Sequence, residues 1–289
     1  MKGLIVKGVG GFYYVEDDEG RRIQCRARGV FKNEGITPYV GDEVEFSMVD
    51  DEEGVVEKIY PRKNSFIRPP ISNVDLIAVV VSASKPKFNP FITDRFLVMA
   101  EKNSTEIVIC INKCDTAKEK DIEKIAKIYE KIYTVIKISG STGVGIDELR
   151  EVTMDKKTAF AGPSGVGKST IINALQPEFS LETGEISDKT KRGRHTTRHV
   201  EIFHTDYGAM VYDTPGFTSF DILESEEAEL QHYYPDIMEY AGNCRYDNCM
   251  HIKEPECGVL KALEEGKINQ SRYDSYKNQI EEIRNKKRY

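Results

Sequence analysis

The sequence predicts a multidomain fold of three parts: an all-β barrel, a doubly wound α/β domain on a parallel sheet, and a helical unit stapled by a metal. Three observations carry that expectation. Short alternating apolar runs broken by Gly and acidic turns fill about the first 65 residues. Buried apolar strands then alternate with amphipathic stretches to about residue 222, and three cysteines crowd with a histidine between residues 244 and 257.

The first part contains GLIVKG, FYYVED, RRIQCRAR, DEVEFSMV and GVVEKIY. Alternation sends one set of side chains inward and the other to water, so each run reads as a strand. Short strands of this number suit an OB-type barrel over residues 1–67, and an SH3-like barrel would read much the same. The prolines of PRKNSFIRPP close the module.

In residues 68–222, VDLIAVVVSA, EIVICIN, TVIKIS, KTAFAG, VEIFHT and AMVYD have the apolar runs of strands covered on both faces. Between them, DRFLVMAEKN, EKDIEKIAKIYEKI, GIDELREVTM and GKSTIINALQ place apolar residues at helical spacing. That alternation defines a parallel α/β sheet. Residues 223–289 turn polar and helical through LESEEAELQHYYPDIMEY, the Cys/His cluster and two further helical stretches ending in RNKKRY. So small a unit needs a staple.

The 289 residues are 39% hydrophobic and 31% charged, with a formal net charge of −7. This balance excludes the disordered and membrane classes and a protein that grips nucleic acid with its whole surface; any RNA contact must be regional. No apolar run matches a bilayer span, and MKGLIVKGVGGFYYVEDDEG lacks the apolar core of a secretory signal. The expected location is cytoplasmic, with no membrane partner. No repeat or heptad series calls for an obligate dimer, so a monomer is expected.

Chemistry concentrates first in Gly162-Pro163-Ser164-Gly165-Val166-Gly167-Lys168-Ser169-Thr170, which follows the strand KTAFA and opens the helix STIINALQ. This is a P-loop in its proper setting: glycines let backbone N–H groups curl around phosphate oxygens, and the helix N-terminus adds its dipole. Lys168 then reaches the β- and γ-phosphates and Ser169 ligates Mg²⁺. The loop alone does not choose the base. Asn112-Lys113-Cys114-Asp115, at the end of EIVICI, does. Asp115 accepts from the guanine N1–H and exocyclic amine, a donor pair adenine lacks, while Asn112 and Lys113 brace the P-loop and flank the base. Ser139-Gly140-Ser141 supplies backbone N–H groups to guanine O6.

Asp213-Thr214-Pro215-Gly216 ends AMVYD, where Asp213 can hold Mg²⁺ through water and the Gly216 N–H can meet the γ-phosphate. Gly193-Arg194-His195-Thr196-Thr197 lies in a stretch without strand or helix signal, as a switch segment would. Thr197, in preference to Thr196, completes the Mg²⁺ shell; His195 either orients the attacking water or is a solvated loop histidine. Phe217 stands where Ras-like GTPases have a water-positioning glutamine, so intrinsic turnover is expected to be slow unless a partner reshapes the switch. The base-reading motif precedes the P-loop, the reverse of the Ras-like order. The domain therefore reads as circularly permuted, which is allowed because the motifs meet at the carboxyl ends of parallel strands.

Cys244-x4-Cys249-x-His251-x5-Cys257 offers three thiolates and an imidazole. Soft ligands in a filled tetrahedral set indicate one structural zinc rather than Mg²⁺ or Ca²⁺. Cys25, Cys110 and Cys114 lie elsewhere and read as ordinary thiols.

The β-barrel, the permuted order of NKCD, GPSGVGKST, GRHTT and DTPG, the Cys/His unit, and the links GDEVEF and PRKNSFIRP together resemble the RsgA (YjeQ/YloQ) family of circularly permuted GTPases, across essentially the whole chain. The resemblance implies an OB-fold that contacts ribosomal RNA and a GTPase stimulated by the small (30S) ribosomal subunit late in that subunit's maturation. It also implies that His195 is the catalytic histidine and Phe217 the usual apolar replacement for glutamine. Ser139-Gly140 stands where the family commonly has Ser-Ala. The runs KTKRGRH and RNKKRY are better candidates for phosphate contact with 16S rRNA than Tyr13, Tyr14, Arg26, Arg28 and Lys32 of the barrel, the alternative for each being an ordinary solvated surface. The expected activity is hydrolysis of GTP to GDP and phosphate with Mg²⁺. The alternatives are a guanylate-type kinase, which leaves Asn112 to Asp115 and the zinc cluster without a role, and a GTP-gated RNA-binding module without turnover.

Overall fold

A computed structural model of the chain describes residues 1–29, 31, 35–179, 200–213 and 226–286. The alternating runs at the start form β1 (Lys2–Val9), β2 (Phe12–Asp17), β3 (Arg22–Ala27), β4 (Glu43–Met48) and β5 (Glu53–Ile59). They close into a barrel in the order β1-β2-β3-β5-β4, with β4 returning to β1 and β3 parallel to β5. The inward positions Ile5, Val15, Ile23, Cys25, Val44, Phe46 and Val56 fill it. This strand order is that of an OB-type barrel.

The segment joining barrel and α/β domain is a built joint, not a loose linker. Fully buried Asp42 accepts from Arg62 Nε (2.7 Å), Arg62 Nη2 (2.8 Å), Ser72 Oγ (2.6 Å) and the Tyr39 N–H (2.7 Å). Asn64 pairs with the Val74 backbone in both directions, and Asn73 Nδ2 donates to Gly41 O at 2.8 Å. Gly41 sits at φ 98°, and a Cβ there would lie 2.2 Å from Ser72 O, so only glycine fits the joint. Two short strands, β6 (Ser65–Phe66) and β7 (Ile71–Ser72), pair within it.

Beyond it the apolar runs become β8 (Leu76–Ser82), β9 (Glu106–Asn112), β10 (Thr134–Lys137), β11 (Lys157–Ala161), β12 (Val200–His204) and β13 (Met210–Asp213). The order is β10-β9-β8-β11-β13-β12, all parallel except β12, and β12 joins β1 through Lys7↔Glu201 and Gly8↔Val200. Barrel and α/β sheet are thus one continuous ladder. On one face, α1 (Pro90–Lys102) and α2 (Glu119–Tyr129) bury Phe96, Leu97, Ile122, Ile125 and Tyr129. On the other, α3 (Ile146–Thr153) and α4 (Lys168–Leu175) bury Ile146, Leu149, Ile171 and Leu175.

The third unit packs on α1 through Val98. The run LESEEAELQHYYPDIMEY, read as helical, contains a 3-10 stretch, Glu227–Tyr233, followed by α5 (Pro235–Ala241). Pro235 has no N–H to continue the ladder and starts a new helix at its first position. Two helices follow, α6 (Gly258–Glu264) and α7 (Gln270–Lys286). Among the described residues, no helix is long and apolar enough to cross a membrane.

Candidate nucleotide site and metal centre

The P-loop runs from the end of β11 into α4. Gly162 has φ 144°, and a Cβ on it would meet Val80 O at 2.3 Å; Gly167 has φ 99°, and its Cβ would meet Asn112 Nδ2 at 2.3 Å. The Val80 backbone at one end of the cradle and the Asn112 side chain at the other therefore leave no room for a Cβ. Gly167 caps α4 without a side-chain hydrogen bond, so the first-turn N–H groups stay free to receive an anion. Lys168 Nζ folds back to donate to Gly162 O (2.6 Å) and Pro163 O (3.0 Å), and burial pulls its ammonium down to about 8. A polyphosphate would supply the counter-charge those two carbonyls only partly provide.

The base-reading loop ends β9, two strands away, and its side chains tie it to the P-loop. Asn112, buried, donates through Nδ2 to Val166 O at 2.8 Å and accepts the Gly140 N–H at 3.1 Å. Lys113 Nζ donates to Gly165 O at 2.7 Å and to Lys85 O. Asp115 accepts from Ser139 Oγ (2.8 Å) and Ser141 Oγ (3.4 Å). These hydroxyls fix the orientation of an exposed carboxylate that a base would cover. In the serine loop the Ser139 N–H goes to Val144 O and the Gly140 N–H to Asn112 Oδ1. A Cβ on Gly140 would approach Ile171 N to 3.1 Å, so the glycine lets this loop sit against the start of α4.

Asp213 ends β13 opposite Glu201 of β12, and burial, with Glu201 beside it, holds its carboxyl above the usual carboxylate value. A hydroxyl at Ser169 and a carboxylate at Asp213 are hard oxygen donors of the kind Mg²⁺ takes. His195, Thr196, Thr197, Thr214, Pro215, Gly216 and Phe217, with Lys32 of the barrel and the run KTKRGRH, lie outside the described residues.

The metal cluster assembles as spaced in sequence. Sγ of Cys244, Cys249 and Cys257 and a ring nitrogen of His251 all lie within 4.8 Å of one another. Cys244 Sγ is 3.5 Å from His251 Nδ1 and 3.7 Å from Cys257 Sγ, and His251 Nδ1 is 3.4 Å from Cys257 Sγ. Ligands ~2.0–2.3 Å from a tetrahedral Zn²⁺ sit about this far apart, so the donor set fits the ion in type and size. His251 Nε2 faces Gln231 Oε1 at 2.9 Å, which fixes the N–H there and turns Nδ1 inward. Burial lowers the imidazole, which keeps it in the neutral form that ligates a metal, and pushes the Cys249 thiol up to about 12, a shift that a cation would reverse.

Three features escaped the sequence reading. Lys85, in the loop after β8, receives Lys113 and so belongs to the nucleotide site. Gln231 orients the metal histidine. Arg272 of α7, fully buried, donates to Asp94 of α1 (Nη1, 2.7 Å) and Asp236 of α5 (Nη2, 2.7 Å) and stacks 4.5 Å over the Tyr234 ring. That triad docks the metal unit on the α/β domain.

A P-loop after β11 and an Asn-Lys-x-Asp loop after β9, tied together on one parallel sheet but inverted in chain order, define a circularly permuted P-loop GTPase. Comparison with known proteins places the chain further. The RsgA GTPase family matches residues 59–223 and the RsgA N-terminal domain residues 2–56. The small ribosomal subunit biogenesis GTPase RsgA of Caldanaerobacter subterraneus subsp. tengcongensis is 45% identical over 289 residues, spanning 100% of this chain and 97% of that one. The protein of the same name from Bacillus subtilis is 44% identical over 294 residues, spanning 99% and 98%. The crystal structure of YjeQ from Thermotoga maritima superposes with TM-score 0.85 at 38% identity over 98% of each chain. YloQ, described as a circularly permuted GTPase, gives 0.81 at 39% identity over 99% of this chain and 95% of its own. The chain belongs to the RsgA GTPase family and is a GTP hydrolase.

Proposed function

We propose that this GTPase is stimulated by the small ribosomal subunit and acts late in maturation of that subunit. The side chain of Asn112, bonded both to the P-loop and to the serine loop, carries the reading of the site. It puts a guanine-selective carboxylate and a phosphate cradle into one pocket. The names of full-length relatives supply the partner: each is a small ribosomal subunit biogenesis GTPase.

In this reading Gly162 to Thr170 wrap the phosphates, Lys168 neutralises charge developing on the β–γ bridge, and Asp115 reads guanine N1–H and the amine. His195 orients the water for in-line attack on the γ-phosphate and the Gly216 N–H receives a γ-oxygen. Ser169 and Thr197 would hold Mg²⁺, with Asp213 reaching it through water, and the ion would supply positive charge to the phosphates. Zn²⁺ on Cys244, Cys249, His251 and Cys257 supplies a structural crosslink. Residues 1–67 form the RNA-contacting OB unit, 68–222 the GTPase domain and 223–289 the zinc unit, with 16S rRNA as the nucleic-acid partner of a cytoplasmic monomer.

Phosphate release from GTP and ATP by the purified protein, with and without small ribosomal subunits, tests this. Slow turnover of GTP alone, raised on the order of tenfold or more by the subunits, is expected. Turnover indifferent to subunits, with GMP acting as phosphoryl acceptor, would replace the ribosomal reading with a kinase.

A further inference from the structure

Helix α2 carries an arrangement that neither folding nor nucleotide chemistry uses. It buries Ile122, Ile125, Ala126, Ile128 and Tyr129 in the core beneath it. At about 100° per residue, the positions opposite that face are 120, 124 and 127, with 131 continuing the row in the turn that closes the helix. All four are lysines and all four are exposed. They lie within about 60° of arc and extend for ~17 Å. None of them makes an ion pair or hydrogen bond among the described residues.

The helix has acids, but they are turned elsewhere. Glu119 and Glu123 are taken by Lys137 of β10. Lys127 helps hold the Glu123 carboxyl below its usual value without pairing to it. Asp121 and Glu130 fall on opposite flanks. Like charges at i, i+3 and i, i+4 destabilise a helix by about 0.2–0.5 kcal/mol per pair, so the row works against the helix that bears it. In a chain of net charge −7 it is a local exception. Beside its last lysine the surface is concave: a cleft of about 490 Å³ opens between the end of α2 and the edge strand β10, walled by Glu130, Lys131, Tyr133, Thr134 and Lys137.

We propose that Lys120, Lys124, Lys127 and Lys131 dock the phosphate backbone of duplex RNA in the small ribosomal subunit. This rests on the reading of the chain as a subunit-stimulated GTPase. Evenly spaced point charges without arginine among them suit a phosphate ridge. The row has no aromatic member for base stacking, which sets it apart from a single-strand groove, and lysine is depleted from the cores of protein interfaces. Its place gives the contact a consequence. Helix α2 starts four residues after Asp115, and β10 ends two residues before Ser139. RNA held on this face grips the two loops that orient the guanine-reading carboxylate.

The test uses the full-length protein with Lys120, Lys124, Lys127 and Lys131 all replaced by Gln, beside the same four changed to Arg. Binding to small subunits and to protein-free 16S rRNA is measured over a salt series, with subunit-free GTP turnover as the fold control. The Gln variant is expected to keep that turnover, to bind both at least tenfold more weakly at low salt, and to lose about 3 from the slope of log K against log salt, since each phosphate contact contributes ~0.7–0.9. The Arg variant should retain wild-type binding. If the Gln variant fails the fold control, single Lys→Gln changes should each remove a share of the slope. Unchanged affinity and slope would overturn the proposal. So would weaker binding to the subunit alone with rRNA binding intact, which assigns the row to an acidic ribosomal protein. A wild-type protein that ignores the subunit brings down the functional reading itself.

Discussion

Among the described residues two carbonyls receive the Lys168 ammonium, and burial holds it at about 8. A bound polyphosphate stabilises the charged form, so the bound state has the higher pKa and binding takes up a proton above the free value. GDP affinity measured by calorimetry should therefore be level below about pH 7.5 and fall as pH rises through 8. A level profile from 7 to 9.5 would remove Lys168 from the phosphate contacts. This residue was legible because a P-loop is local, nine consecutive positions whose geometry follows from their own glycines. Asp115 was legible as well, but its support was only half so. The sequence pointed to the serine loop as a source of backbone donors for the base, but not to the hydroxyls of Ser139 and Ser141 that hold the carboxylate. Side-chain direction within a turn is set by what packs behind it, here the start of α4, and spacing carries no record of that.

The elements were legible wherever one residue pattern governs one segment, as in the barrel strands, β8 and α2. The connections between elements were not. Prolines marked the barrel's end as a boundary, yet Asp42, Asn64 and Asn73 make it a rigid corner through partners 10 to 32 residues away. Arg272 finds Asp94 across 178 residues. Removing it leaves two buried carboxylates without their cation, a loss of about 3–5 kcal/mol for a broken buried pair. Arg272→Ala should lower the thermal midpoint accordingly and loosen the metal unit from α1, read by faster amide exchange in α7; an unchanged midpoint would show the triad to be neutral. The metal cluster behaves differently because its ligands fall within 14 consecutive positions, Cys244 to Cys257. Cys249→Ser should lose one equivalent of zinc by elemental analysis and unfold the third unit at lower temperature while GDP binding persists. Full zinc content in that variant would contradict the assigned ligand set.

At the scale of the molecule a single ladder runs from β10 through the nucleotide site to the barrel. Its crossing point is β12–β1, where Glu201 takes both Lys7 and Arg22 of the barrel and faces Asp213 across its own hairpin. The permutation was legible from motif order alone, since strands that adjoin in space need not adjoin in sequence. The union of barrel and sheet was not, because it rests on two residue pairs. The central claim remains that one pocket, assembled from segments in inverted order, selects guanine and cleaves its triphosphate. Steady-state phosphate release from GTP and xanthosine triphosphate by wild-type and Asp115→Asn protein tests it most directly, since xanthine presents a carbonyl where guanine has its amine. The account predicts that the wild type turns over GTP and the variant prefers xanthosine triphosphate, a reversal of at least on the order of a hundredfold. A variant that keeps its preference for GTP would contradict it.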